Sequence, residues 1–339
     1  MEEVKQDIDR WLAERQIVAL ATVVQTWGSA PRKAGAKMGV TGGGGISGSV
    51  SGGCVEGAVV TAAEQVLENG RPTLLHFGVA DETAWEVGLA CGGEIEIFVE
   101  PLNRRAYDFV TGLQEREQSG LLATVIQGPD ELVGNKLAIK DGALIWDEIG
   151  TELEKDTLKM LQEIKKTSRL ILRENLEVFV EVLRPAPMLV IVGGVHIAVA
   201  LIHLANELGF RTILVDPRRA FNNLERFPHA GKLLQEWPGE GFSKIAWTAE
   251  TAVALLTHDP KIDDPALLFL QDQNPFYVGA LGSRATHQKR KERLLAAGIN
   301  PDFLDTVHAP IGLDIGAQNP EEIALSVMAE IISSYRNRS

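Results

Sequence analysis

Apolar residues at Val4, Ile8, Trp11 and Leu12 recur at helical spacing and predict a helix over 4–15. A β-branched apolar run at 17–24 predicts a buried strand. After a loop at 26–38 rich in Gly, Pro and basic residues comes a glycine-dense stretch, then a helical pattern over 55–67 that Asn69-Gly70 stops. A short strand is expected at 73–77, and strict alternation predicts another at 94–100. A helix over 104–118, a strand at 121–127, a hairpin-like region at 132–146, a charged helix at 151–166 and strands at 169–173 and 176–183 complete this half. No internal repeat is visible, and residues 103–183 carry no recognisable chemistry. Arg184-Pro185-Ala186-Pro187 reads as a linker, because each proline disfavours helix in the residue before it.

The pattern then changes. Residues 188–192 are continuously apolar, as in a strand buried on both faces of a parallel sheet. Gly193-Gly194 follows, then a helical pattern at 196–208, a strand at 211–216 ending on Asp216, and further short strands at 252–256 and 276–278. These alternate with helices at 260–270 and 283–297. Asn319-Pro320-Glu321-Glu322 opens a last helix, which buries Ile323, Val327, Ile331 and, on one reading, Leu325. The expected class is α/β, with an N-terminal mixed α+β domain (1–185) and a C-terminal Rossmann-like doubly wound parallel sheet (186–339).

Charge narrows the function classes. A net charge of −13 opposes a general nucleic-acid or anionic-membrane surface, so any phosphate site must be local. Two cysteines in 339 residues make no disulfide framework and are expected to be reduced thiols of a cytoplasmic protein. The opening Met-Glu-Glu-Val-Lys-Gln-Asp lacks the make-up of a signal peptide, and no apolar run is long enough to span a membrane.

Seven of the twelve residues at 42–53 are glycine, and the run ends at Cys54. Such a loop, leading into a helix, brings backbone N–H groups together, leaves room for a ligand, and sets a thiol where the helix dipole favours its anion. A flexible linker is the competing reading. Cys54 is either a reactive thiol or an inert one at a close helix contact, and Cys91, also among glycines, has the same two readings. Glu56 either binds ligand or only stabilises the helix end.

Val192-Gly193-Gly194-Val195-His196 looks like a dinucleotide fingerprint, with Asp216 placed 23 residues after Gly193. Val195 stands where a second glycine should admit a pyrophosphate, which weakens the case for NAD(P). His196 is either a ligand donor or a cap. Arg218, after Asp216, is a natural phosphate ligand or part of a solvated turn. Gly282-Ser283-Arg284, with Lys289 and Arg290, makes a local basic site that suits a phosphate or simply a capped helix. His258 lies at the carboxyl end of a strand, the edge where doubly wound sheets bind ligands.

The chain resembles the xanthine dehydrogenase accessory factors, the XdhC/CoxI family. The resemblance rests on the stretches at 28–38, 52–56, 91–93, 193–198, 215–218, 257–259, 277–284, 310–316 and 320–324, covering roughly residues 17–100 and 186–333. One departure is Val195, where the family usually has a third glycine before the histidine. The resemblance implies a chaperone that binds the molybdenum cofactor (molybdopterin) transiently, protects it, assists its sulfuration and delivers it to a xanthine dehydrogenase-type apo-enzyme. It implies a homodimer, and a cysteine desulfurase as a further partner. Cys54 becomes the residue expected to face molybdenum or carry sulfur. Gly52, Gly53, Glu56 and Cys91 would lie beside it, and the second half would supply Gly193, Gly194, His196, Asp216, Arg218, His258, Gly282, Ser283 and Arg284. The glycine stretch is then one wall of a shared cleft. The alternative is an NAD(P)-dependent oxidoreductase using the Rossmann half.

Overall fold

The computed structural model describes residues 1–28, 32–78, 93–150 and 155–338. The chain divides into two compact units, Met1–Pro185 and Ala186–Ser339.

The first unit runs α1 (Glu2–Ala13), β1 (Val18–Trp27), β2 (Lys37–Thr41), β3 (Ile46–Gly48), α2 (Glu56–Asn69), β4 (Thr73–Phe77), β5 (Glu94–Pro101), then α3 (Arg104–Glu115), β6 (Gly120–Gln127), β7 (Lys136–Lys140), β8 (Ala143–Asp147), α4 (Lys155–Glu163), β9 (Ser168–Arg173) and β10 (Leu176–Leu183). The order α-β-β-β-α-β-β occurs twice. Each set of strands makes an antiparallel five-stranded sheet, ordered β3-β2-β1-β5-β4 in one and β8-β7-β6-β10-β9 in the other.

The correspondence reaches single residues, so the first unit is an internal duplication, contrary to the sequence expectation. Arg15 and Glu117, two residues past α1 and α3, both have left-handed φ, at 60° and 55°. Val24 and Ile126 are both skipped in the pairing register, as bulges are. Both pack with Phe98 and Phe179 in one small core. Gly35 and Gly134, at φ 93° and 91°, donate to the Val23 and Val125 carbonyls. The buried charges are exchanged between the copies. Lys37 of β2 pairs with Glu181 of β10 at 2.8 Å, and Lys136 of β7 pairs with Glu100 of β5 at 2.7 Å. Each lysine also donates to a threonine, Thr22 or Thr124.

The hydrophobic pattern does not display β2 and β3, because glycines interrupt them. They form a hairpin with Met38 opposite Gly48 and Val40 opposite Ile46. Gly39 has no side chain because the Trp11 ring of α1 lies against it, 3.1 Å from where a Cβ would be.

The second unit runs β11 (Met188–Val192), α5 (His196–Glu207), β12 (Arg211–Val215), β13 (Lys232–Leu234), α6 (Pro238–Phe242), β14 (Thr251–Leu255), α7 (Pro260–Leu270), β15 (Tyr277–Ala280), α8 (Arg284–Ala296), α9 (Pro301–Thr306) and α10 (Pro320–Arg336). Its parallel sheet is ordered β13-β12-β11-β14-β15, so the strand order reverses at β11. Residues of β11 alternate between two cores. Met188, Val190 and Val192 meet α6, α7 and α8, while Leu189 and Ile191 meet α5 and α10. That explains the unbroken apolar run. α10 buries Ala324, Val327, Met328 and Ile331, whereas Leu325 is 53 % exposed. Asn319 caps it by accepting from the Glu322 amide at 2.8 Å.

Candidate functional site

The glycine stretch separates into two parts. Residues 42–45 are the β2–β3 hairpin turn, closed by Thr41, whose amide donates to the Gly45 carbonyl at 2.9 Å and whose hydroxyl accepts from the Gly45 amide at 2.9 Å. Only 49–55 form the loop into α2. Gly48, at φ 76°, is required where they part, since a Cβ there would sit 2.4 Å from the Lys37 carbonyl oxygen.

That loop is an anion nest, and the anion in it is the chain's own. Glu56, the first residue of α2, turns its carboxylate back over the loop. Oε1 accepts from the Ser49 hydroxyl (2.7 Å) and from the amides of Val50 (3.3 Å), Ser51 (2.9 Å) and Gly52 (3.1 Å). Oε2 accepts from the Ser51 hydroxyl and from the Gly53 amide at 2.9 Å. Gly52 and Gly53, at φ 79° and 118°, adopt the left-handed backbone that turns both amides inward. Burial works against the charge, but the Ser51 and Ser49 hydroxyls and the Ser51 amide outweigh it and hold the carboxyl at about 2.

Cys54 follows this nest and precedes Val55, the N-cap of α2. It is a free thiol, half-buried against the core of the first sheet and α2. The structure therefore brings Gly52, Gly53, Cys54 and Glu56 together, with Glu56 fixing the loop that presents the thiol. Cys91 lies outside the described residues. Among the described residues no three His, Cys, Asp or Glu side chains are grouped to hold a metal ion. As a metal ligand, Cys54 would be one donor to a metal that arrives with its others.

In the second unit the remaining candidates lie along the carboxyl edge of the parallel sheet. Gly193 sits at φ 110° against Thr257, whose methyl would be 2.6 Å from an added Cβ. A Cβ on Gly194 would meet the Phe221 carbonyl at 2.1 Å. His196 is exposed in the first turn of α5. Asp216 is completely buried. Its carboxylate accepts from the Gly194 amide (2.8 Å), the Arg218 amide (2.9 Å) and two guanidinium nitrogens of Arg218 (2.9 and 2.6 Å). Burial disfavours its charge, but Arg218 and the two amides prevail and lower its pKa. The Arg218 guanidinium also stacks on the Phe221 ring, 4.3 Å from the centroid. Asp216 and Arg218 thus satisfy each other, and the carboxylate that would take a ribose is held inside the fold.

His258 is exposed at φ 58°, with Nδ1 3.7 Å from where a Cβ on Gly282 would be. Ser283 caps α8 by accepting from the Thr286 amide at 3.2 Å, and Arg284 is exposed beside it.

Two family profiles match this chain. One, described as the XdhC and CoxI family, matches residues 11–78, the part that holds the Glu56 nest. The other, described as the XdhC Rossmann domain, matches residues 189–331. The chain belongs to the XdhC and CoxI family. It is 29 % identical over 335 residues to a probable xanthine dehydrogenase subunit of Bacillus subtilis, covering 97 % of this chain and 96 % of that one. It is 29 % identical over 315 residues to the molybdenum cofactor insertion chaperone PaoD of Escherichia coli, covering 93 % of this chain and 82 % of that one. A crystal structure described as a xanthine dehydrogenase from Bacillus halodurans superposes with a TM-score of 0.80 at 26 % identity, over 98 % of this chain and 96 % of that one. No helix among the described residues of this XdhC and CoxI family chain is long and apolar enough to cross a membrane.

Sequence reasoning overlooked Ser49 and Ser51, whose hydroxyls complete the nest, although serines alternate at 47, 49 and 51 just before Glu56. It also overlooked Asp263, which accepts from the Thr257 hydroxyl and from Arg290.

Proposed function

We propose that the protein is a maturation chaperone for a xanthine dehydrogenase-type molybdoenzyme, taking up molybdenum cofactor and passing it to the apo-enzyme. The observation that carries this is the likeness, over 93 % of this chain and 82 % of the other, to a molybdenum cofactor insertion chaperone, in a chain whose matched N-terminal region holds a thiol on a stiffened loop. The cofactor is cargo rather than a resident group. Cys54 approaches its molybdenum or carries the sulfur used in sulfuration, with a cysteine desulfurase as the sulfur source. Glu56 keeps the loop open and fixed, so the thiol is presented without refolding at each transfer. Protection, cytoplasmic residence and a homodimeric state belong to the same reading. The buried Asp216–Arg218 pair supports it over an NAD(P)-dependent oxidoreductase, which needs that carboxylate for a ribose.

The test is uptake and transfer. The purified protein, incubated with molybdenum cofactor and then with apo-xanthine dehydrogenase, is expected to restore activity, and Cys54→Ala to lose most of the transfer while still folding. Tight NAD(P) binding with no uptake of cofactor would reject the reading. Undiminished transfer by Cys54→Ala would reject the role of Cys54.

A further inference from the structure

The glycine turn after β11 is where a dinucleotide fold usually grips a phosphate. Here its Gly194 amide already donates to Asp216. The next crevice along the same edge, between α7 and α8, is different. It is a cavity of about 150 Å³ lined by His258, Asp263, Thr286, Lys289, Arg290 and Arg293 among others. Positions 286, 289, 290 and 293 share one face of α8, so that face turns three cations and a hydroxyl toward it.

Arg290 carries the argument. It is 2 % exposed. Its Nη2 donates to Asp263 at 3.3 Å and to the Leu281 carbonyl at 3.1 Å, whereas its Nη1 is buried without a hydrogen-bond partner. A buried guanidinium donor left without an acceptor is costly, and native structures normally supply a water or an ion. Lys289, exposed one residue earlier, makes no ion pair among the described residues. The lining carboxylate, Asp263, is shared with the Thr257 hydroxyl, and burial raises its pKa. Both helices also begin here. The Ser283 hydroxyl accepts the Thr286 amide, which leaves the Arg284 and Ala285 amides for an outside acceptor.

We propose that this cavity is a binding site for a phosphate or diphosphate group, with Arg290 Nη1, Lys289 and the first turn of α8 as its donors. Its size fits a group rather than a whole ligand, since pockets that enclose drug-sized molecules run from roughly 300 Å³ upward. That the group belongs to the molybdenum cofactor rests on the proposed function; the site itself does not.

The test is calorimetric titration of the whole protein with inorganic phosphate and with pyrophosphate at low salt. Wild type is expected to bind one pyrophosphate per chain. Lys289→Glu, at an exposed position, should weaken it about tenfold or more with no change in thermal stability without ligand. Arg290→Lys should weaken it as well. Lys166→Glu, the same charge change in the first unit, should not. No saturable binding by wild type, or equal weakening by Lys289→Glu and Lys166→Glu, would overturn the site. Molybdenum cofactor taken up by a protein that refuses pyrophosphate sinks the site and leaves the chaperone reading. Pyrophosphate bound by a protein that refuses the cofactor does the reverse.

Discussion

Replacing Glu56 by Gln removes one charge from the nest and leaves its shape. The amide oxygen can stand in for Oε1, but the amide nitrogen then faces the Gly53 N–H, which loses its acceptor. The Oε1 bonds to Ser49, Val50, Ser51 and Gly52 survive without charge assistance. Hydrogen bonds to charged groups contribute roughly 1.5–3 kcal/mol when buried. The gap between about 2 and the ordinary 4.5 sets a ceiling of about 3 kcal/mol, reduced by solvent screening of this partly exposed group to about 1–2 kcal/mol. The sign follows from linkage. A carboxyl held low in the folded chain stabilises it above the unfolded value, and that stability is lost as pH falls through the folded one. The gap between wild type and Glu56→Gln should therefore be full at pH 7, shrink below about 4.5 and vanish near 2. Hydrogen exchange at the Gly52 and Gly53 amides reads the loop directly, and 1–2 kcal/mol there means roughly five- to thirtyfold faster exchange. Maleimide labelling of Cys54 should accelerate in parallel. Unchanged exchange at pH 7, or a gap undiminished at pH 3, would refute the view that Glu56 organises this loop.

Asp216→Asn should cost about 2 kcal/mol in urea unfolding, because it removes the charge that Arg218 and the Gly194 amide address inside the fold. Gly194→Ala should destabilise by about 1–3 kcal/mol or more in the same assay, since the new methyl meets a backbone carbonyl that cannot rotate away. Lys136→Met should cost about 3–5 kcal/mol by leaving Glu100 buried without its cation, and adding Glu100→Leu should recover much of it.

The Rossmann half was legible because its strands are buried on both faces and its helices carry caps, at Ser283 and Asn319, that the sequence displays. The carboxyl-edge candidates Gly193, Asp216, His258 and Gly282 do fall on one edge, because a parallel sheet places every strand end on the same side. Their use was less legible. That Asp216 bonds inward to Gly194 and Arg218, and that the Phe221 carbonyl closes over Gly194, no spacing reveals. In the first half, β2 and β3 were hidden by Gly39 and Gly48, residues placed there by contacts with Trp11 and the Lys37 carbonyl. The duplication is hidden in the sequence because its matched positions, Val24 with Ile126 or Lys37 with Lys136, are few and unevenly spaced. The β4–β5 connection, for example, spans 78–93 in one copy and 174–175 in the other.

The duplication also gives residues 103–183, which the sequence leaves unread, a structural part beside the first copy. The sequence between β8 and α4, residues 148–154, has one glycine and no cysteine. What the second copy contributes is Glu181, which pairs with Lys37 at the start of β2. The Lys37 carbonyl is the atom against which Gly48 packs as β3 ends. One residue later Ser49 begins the nest closed by Glu56, and Cys54 follows. A continuous run of contacts therefore leads from the second copy to the thiol, through a buried ion pair, a strand and a hairpin. A loop of seven residues cannot hold one side chain in place by itself, because the backbone entropy of ordering it is roughly 1–2 kcal/mol per residue. The carboxylate of Glu56 offsets part of that from within, and the Glu181–Lys37 pair anchors the strand that leads into the hairpin before the loop.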